Sequence, residues 1–400
     1  AVTGKVLSTG NNITLVSLAT GTARVGDLTG NSISGEVTVE RYINTGVGGG
    51  RHAKTWQFLA TPAKGQSIFD AWQEGGATPA GYGTILTGTG TGFDITTALP
   101  SMKFFDPTIG ASGNWAGITN TAAQLNDKRG YMVFVRGDRT VNTLASAPNP
   151  TNLRSKGTLY QPSDPPPVTN VLSGKPATVG NPYASAIDLE YLKDNGLMVN
   201  LNNDAVVWDP LLFGSYGLGG YQTLSAANNY EPTAGGTTFY PTGVPAPHIQ
   251  SGQAFFVQSA GPAGTISFTE ASKVSANRLV NRNGNRPTDK QYFRARLFTN
   301  TNMIADGNAA VFSVNYRDRI DADDAIKLIN SGENFFISRH NKQLSVESRS
   351  RVQRTDTIFY QLSNLRKQPY KFRFEPVNMN DGRLEAILVD QYLHTQTAIG

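Results

Sequence analysis

Four hundred residues with 35 basic and 30 acidic side chains, a formal charge of +5 and no cysteine leave room for several domains and a sizeable core. The missing thiol excludes a disulfide framework, Cys-ligated zinc, iron–sulfur clusters and a cysteine nucleophile. Charged residues make up only 16% of the chain, well under the usual quarter or so, and the abundance of Gly, Thr, Ser and Asn points to turn-rich β structure.

No run approaches the roughly 18 apolar residues that span a bilayer, and no basic-then-apolar leader stands at Ala1. The chain reads as a mature or excised soluble piece, with no transmembrane segment expected. The basic character belongs to the last third. From Lys273 onward there are 20 basic and 13 acidic residues, against 15 and 17 before it. The stretch QYFRARLF (291–298) superficially offers arginines interleaved with aromatics, as nucleic-acid binding requires. Its period is two, however, with Arg294 and Arg296 on one face and Phe293, Ala295 and Leu297 on the other. That predicts a half-buried strand with a solvated arginine face and no nucleic-acid partner.

Residues 1–45 read as short strands. Ile13 with Leu15, Ala23 with Val25, and Ile33, Val37, Val39 and Ile43 alternate with polar neighbours, and Gly or Asn marks each break. This is the pattern of a β edge, or of the last rungs of a stacked β region with a partner upstream.

Residues 46–280 form a longer module that carries an internal repeat. TWQFLATP (55–62), SIFD (67–70), MKFFDP (102–107) and RGYMVFV (129–135) are answered in order by ATVGNP (177–182), SAID (185–188), VVWDP (206–210) and SGQAFFV (251–257). The two segments are expected to form related halves of one β-sandwich. Each half contains one short helix, with Ser67 and Ser185 as N-caps, Asp70 and Asp188 three residues on, and closing glycines at Gly75 and Gly196. Between them QPSDPPP (161–167) must cross the surface in an extended form, because its prolines cannot donate to a sheet.

A second boundary falls near 281–287. In 281–400 seven strands are predicted, at 292–299, 309–316, 334–339, 344–347, 357–362, 370–375 and 383–392, which implies a second antiparallel sandwich or jelly roll. The sequence stops at Gly400 directly after a strand, so this sandwich is expected to be incomplete or to borrow a strand. The predicted fold class is therefore all-β: tandem antiparallel β-sandwich or jelly-roll modules with two short helices, preceded by a β edge segment.

Catalytic signatures are weak. His52, His248, His340 and His394 are isolated, and no HExxH spacing occurs. GSYG (214–217) lacks the first glycine of a hydrolase elbow, and the glycine-rich runs at 46–50 and 88–92 are not followed by a phosphate-accepting helix. Arg136-Gly137-Asp138 spells a cell-attachment tripeptide but sits at a strand end, where Gly supplies a turn. Asp318, Asp321, Asp323 and Asp324 are spaced closely enough to share calcium, the one cofactor considered. The alternative is a solvated acidic turn. Trp115, Tyr216 and Tyr221 are the candidate sugar-stacking platforms, whereas Trp56 and Trp208 lie within strand patterns and read as core. No pair among the 30 acids stands out as a catalytic couple, so no enzyme is expected.

The motifs SIFDAWQEG (67–75), RGYMVFVRGD (129–138), VGNPYASAID (179–188), VWDP (207–210), GLGGYQ (217–222) and IQSGQAFFV (249–257) resemble those of large exported, adhesin-like surface proteins of Bacteroidota. Such proteins often end in a type IX secretion sorting domain, which this chain does not show. The resemblance covers roughly residues 30 to 400. It implies export, an extracellular or outer-cell-surface location, and a non-catalytic structural or adhesive role. It supplies no active-site residues. Two alternatives stand beside that reading: a carbohydrate-binding module of a polysaccharide-degrading assembly, and a fibre subunit that assembles by β-strand addition. A surface glycan or a protein is the partner these readings require.

Overall fold

The computed structural model describes residues 3–46, 52–125, 128–214, 217–274, 289–379, 382 and 384–399. The expected linker at 281–287 lies outside them. Among the described residues strands dominate, with two short α-helices, α1 (Ile68–Ala71) and α2 (Leu189–Asp194). The protein is an all-β, multi-sheet fold.

The N-terminal strands stack in parallel. Val6–Ser8 pairs with Ser32–Ser34, and Ile13–Leu15 pairs with Val37–Ile43. The Val37–Ile43 strand then pairs antiparallel with Thr151–Gly157, tying this segment to the body.

The two repeated segments build two sheets with one topology. In the first, Thr55–Leu59 pairs with Tyr131–Val135, which pairs with Met102–Asp106, which pairs with Asn114–Gly117. In the second, Pro176–Gly180 pairs with Ala254–Gln258, then Asp204–Asp209, then Gly220–Ser225. Every pairing in both sheets is antiparallel.

Side-chain alternation explains how the sheets layer. Trp56 and Phe58 point to one face of the first sheet while Leu59 points to the other, and Ala254 and Phe256 oppose Phe255 and Val257 in the second. One face of each sheet meets the other sheet. Phe58, Phe105 and Met132 pack there against Val206, Ala254 and Phe256. The opposite faces are covered by the helices: Ile68, Ala71 and Trp72 lie on the first sheet, Leu189 and Leu192 on the second. Burying one such aromatic or aliphatic side chain is worth about 1.5–3 kcal/mol.

Small residues set the spacing. A Cβ at Gly130 would lie 2.6 Å from the Ala254 Cβ and the Phe58 ring, and one at Gly180 would lie 2.8 Å from the Ala60 Cβ. Ala60 and Gly180 each precede the repeat's proline by two residues, so equivalent positions of the two halves meet.

The local chemistry of the motifs is turn and cap chemistry. Asp106 and Asp209 end matching strands, and their side chains accept from Thr108 N (2.8 Å) and Leu211 N (2.9 Å), which turns the chain at the FFDP and VWDP motifs. Ser67 caps α1 by accepting from Asp70 N at 3.0 Å. Ser185 does not cap α2. Asp188 does, accepting from Glu190 N at 3.0 Å and Tyr191 N at 3.4 Å, because the helix starts at Leu189 rather than three residues earlier.

In the last third, the strands Gln291–Thr299, Ile304–Phe312, Asn334–Arg339, Lys342–Arg349, Tyr360–Ser363 and Tyr370–Val377 form one curled sheet. Its order runs from Tyr360–Ser363 through Asn334–Arg339, Lys342–Arg349, Ile304–Phe312 and Gln291–Thr299 to Tyr370–Val377. One pair, Ile304–Phe312 with Lys342–Arg349, is parallel, where antiparallel order was expected throughout. The end strands face each other across the concave side, with the Tyr360 and Phe374 rings 5.9 Å apart. A hairpin, Ala386–Asp390 with Thr395–Ile399, packs Ala386 and Ile399 against the concave core.

The arginine face of Gln291–Thr299 is not solvated. Arg294 and Arg296 are 2% and 4% exposed. Arg294 meets Glu231 at 2.7 Å and Arg296 meets Glu375 at 3.1 Å. The segment carrying Glu231 and Ala227 from the preceding module covers this face, so both sides of the strand are buried.

Candidate functional site

Trp115 and Tyr221 do not form an open stacking platform. They are brought together, but inside the seam between the two sheets, where Trp115 Nε1 donates to the Tyr221 hydroxyl at 3.0 Å. Phe58, Phe105 and Phe256 surround the Trp115 ring edge-on, and Trp208 meets Tyr221 at 5.0 Å. Burial pushes the Tyr221 phenol up to about 12. Trp56 and Trp208 join the same seam. Tyr216 lies outside the described residues.

The four aspartates are near in sequence but divided in their bonding. Asp318 accepts from the Ser350 backbone and hydroxyl at 3.1 and 2.6 Å, and Asp323 accepts from Asn203 at 2.9 Å. Asp321 accepts from Asp323 N at 3.1 Å, and Asp324 accepts from Asp321 N and Ser348 N, both at 2.8 Å. Each carboxylate closes a turn or ties a strand. Among the described residues no three His, Asp or Glu side chains gather as a metal-binding group.

The Arg136-Gly137-Asp138 tripeptide is folded inward. Arg136 donates to the Ile85 carbonyl at 3.1 Å, and Asp138 accepts from Gly81 N at 2.6 Å and from the Thr140 backbone and hydroxyl at 2.9 and 2.6 Å. Burial works to raise the Asp138 pKa, but these hydrogen bonds outweigh it and hold the carboxyl below its usual range. The side chains serve a turn. His52 is buried, bonded to the Ala53 carbonyl at 2.9 Å, and burial depresses its pKa. His248 lies 3.7 Å from Asp188.

Two surface features that the sequence did not announce stand at the curled sheet. The first is its open side. Among the described residues, Tyr360–Ser363 and Tyr370–Val377 each have one neighbouring strand, and Leu362, Phe372, Ile387, Val389, Tyr392 and Leu393 are exposed there, Tyr392 at 90%.

The second is a groove of about 300 Å³ beside the turn that joins Asn334–Arg339 to Lys342–Arg349. His340 and Asn341 make that turn with φ of +45° and +59°, the left-handed pair that a two-residue hairpin turn requires. Arg339, His340, Glu347, Arg349, Thr357 and Phe359 line the groove. Glu347 sits between Arg339 at 2.7 Å and Arg349 at 3.8 Å. Burial pushes its carboxyl up against the pull of both guanidiniums. Scattered across two strands, the turn between them and the loop before Tyr360–Ser363, these residues carry no contiguous motif. The only sequence signal is charge: residues 338–359 hold five basic and two acidic side chains.

Compared with family models, curated proteins and solved structures, the chain matches none. Among the described residues no helix is long and apolar enough to cross a membrane.

Proposed function

We propose that this chain is a non-catalytic structural or adhesive protein that works extracellularly or at an outer cell surface, in the manner of the exported Bacteroidota proteins whose motifs it resembles. The observation that supports this reading is the number of exposed apolar side chains carried by the end strands and hairpin of the curled sheet. Such a patch suits contact with another polypeptide. The double-sheet body, locked by its aromatic seam, provides a rigid mount for it. Export by a type IX route is part of the same proposal and rests on the resemblance alone.

The fibre-subunit alternative is favoured by one specific observation. Among the described residues the two end strands of the curled sheet each offer a free edge, and a free edge accepts a further strand through its backbone groups. The carbohydrate-binding alternative loses Trp115 and Tyr221 to the seam and rests instead on the groove at Phe359.

Sizing across a roughly hundredfold concentration range, together with adhesion to cells and matrix proteins, tests the proposal. Self-association or adhesion that the pair Ile387→Lys and Val389→Lys abolishes, with the melting temperature kept, supports it. A strict monomer that adheres to nothing overturns it.

A further inference from the structure

The geometry points to the Arg339–Arg349 groove as a binding site for a carboxylated sugar, a uronate unit of an acidic glycan. This inference uses a different surface from the adhesive reading and stands or falls separately from it. At about 300 Å³ the groove lies at the small end of ligand sites, which suits one or two sugar rings.

Its chemistry has three parts. Phe359 offers an apolar ring that is 58% exposed, against which the C–H face of a sugar packs, as ring faces do at aromatic platforms.

The two guanidiniums form the second part, and both are held in place before any ligand arrives. Arg339 donates to Glu347 at 2.7 Å and to the Asp318 carbonyl at 2.6 Å, and Arg349 donates to the Thr357 carbonyl at 3.0 Å. A guanidinium carries more N–H donors than these partners take, in the fork geometry that matches a carboxylate. Side chains already fixed by their own bonds lose little entropy on binding.

Charge is the third part. Glu347, at the floor of the groove, has only 2% of its side chain exposed and acts as counter-ion to both arginines. It neutralises one of the two positive charges. Asp356, 3.6 Å from Arg349, offsets the second, and the Asp318 carboxylate also feels both guanidiniums, so the surplus positive charge comes from Lys342, Arg351 and Arg354, exposed along the same segment. With five basic against two acidic side chains, the 338–359 segment around the groove is net positive and favours an anion. An aromatic wall beside a cationic fork distinguishes a sugar acid from a bare phosphate or sulfate, which has no apolar face to place on Phe359.

Calorimetric titration of the full chain with an oligogalacturonate tests the site. A neutral glucose oligomer, inorganic phosphate and a glutamate-rich peptide serve as comparison probes. The expected result is saturable binding to the oligogalacturonate alone that weakens as salt rises. Phe359→Ala and Arg339→Lys should each reduce affinity at least about tenfold. Phe359→Ala removes an exposed ring and leaves the fold intact, and Arg339→Lys keeps the charge while removing the fork, with the melting temperature of both read alongside. Absence of saturable binding overturns the proposal. So does affinity unchanged in both variants, equal binding of the neutral oligomer or the peptide, or binding of phosphate as tight as that of the sugar acid.

Discussion

Asp204 begins the Asp204–Asp209 strand opposite Ser225, nearly sealed from solvent, and its Oδ1 has no hydrogen-bond partner among the described residues. Burial pushes its pKa from 3.8 up to about 7. A carboxyl whose pKa is raised in the folded state binds its proton more tightly there than in the unfolded chain. Its contribution is therefore fully present below about pH 4, is lost as the pH rises towards about 7, and is constant beyond. Roughly three pH units at about 1.4 kcal/mol each give a loss of about 4 kcal/mol across that window. Asp204→Asn keeps the shape and removes the titration. In urea denaturation from pH 4 to pH 8, the variant should gain up to about 4 kcal/mol over the parent at pH 8 and nothing at pH 4. Asp324, which burial pushes up to about 6, retains a smaller slope of the same sign in both proteins. If parent and variant show parallel stability curves over this range, the reasoning about a buried, unsupported carboxyl is wrong.

Four further outcomes follow from the packing and bonding. Gly130→Val places new atoms where a Cβ alone already lies 2.6 Å from Ala254 and Phe58. It should cost about 1–3 kcal/mol in equilibrium unfolding, and an unchanged melting temperature would mean that the sheets can separate freely there. Lys327→Ala strands the fully buried Asp306, now paired with Lys327 at 2.5 Å, at a cost of about 3–5 kcal/mol. Because burial raises the Asp306 pKa, this loss should shrink as the pH falls and the carboxyl takes up a proton. Asp138→Ala removes the acceptors for Gly81 and Thr140 and should lower the melting temperature by the equivalent of about 1–3 kcal/mol. Loss of cell adhesion with no change in melting temperature would instead make the tripeptide a recognition element. EGTA should leave the melting temperature unaltered, since Asp318, Asp321, Asp323 and Asp324 spend their oxygens on backbone and side-chain donors.

The parts of the fold that were legible in the sequence are those encoded locally. Period-two alternation located the strands, and the end of α2 was marked by Gly196 with φ of +67°. The repeated DP turns are signals a few residues long, and the two sheets they help build share a strand order. What remained hidden depends on contacts distant in sequence. Alternation told which of Phe293 and Arg294 lie on opposite faces but not whether either face meets water, and Glu231 arrives from sixty residues upstream to bury the arginine. Trp115 looked exposed because glycine and asparagine surround it, yet its ring belongs to a seam whose other half is more than a hundred residues away. Ser185 and Asp188 are both good capping types, so a three-residue slip in the helix start was undetectable by residue type. The groove at Phe359 has no motif at all, since two strands, their turn and a separate loop assemble it.

The meeting of Ala60 with Gly180 has a consequence for how such a body is put together. Matching positions that touch across an interface are what two identical subunits produce around a twofold axis. Either half expressed by itself would bare its aromatic face to water and should pair with another copy of itself rather than remain a lone soluble unit. Covalent linkage in one chain turns that encounter from a concentration-dependent event into an intramolecular one. It also leaves each half free to diverge in its loops while keeping the shared contact.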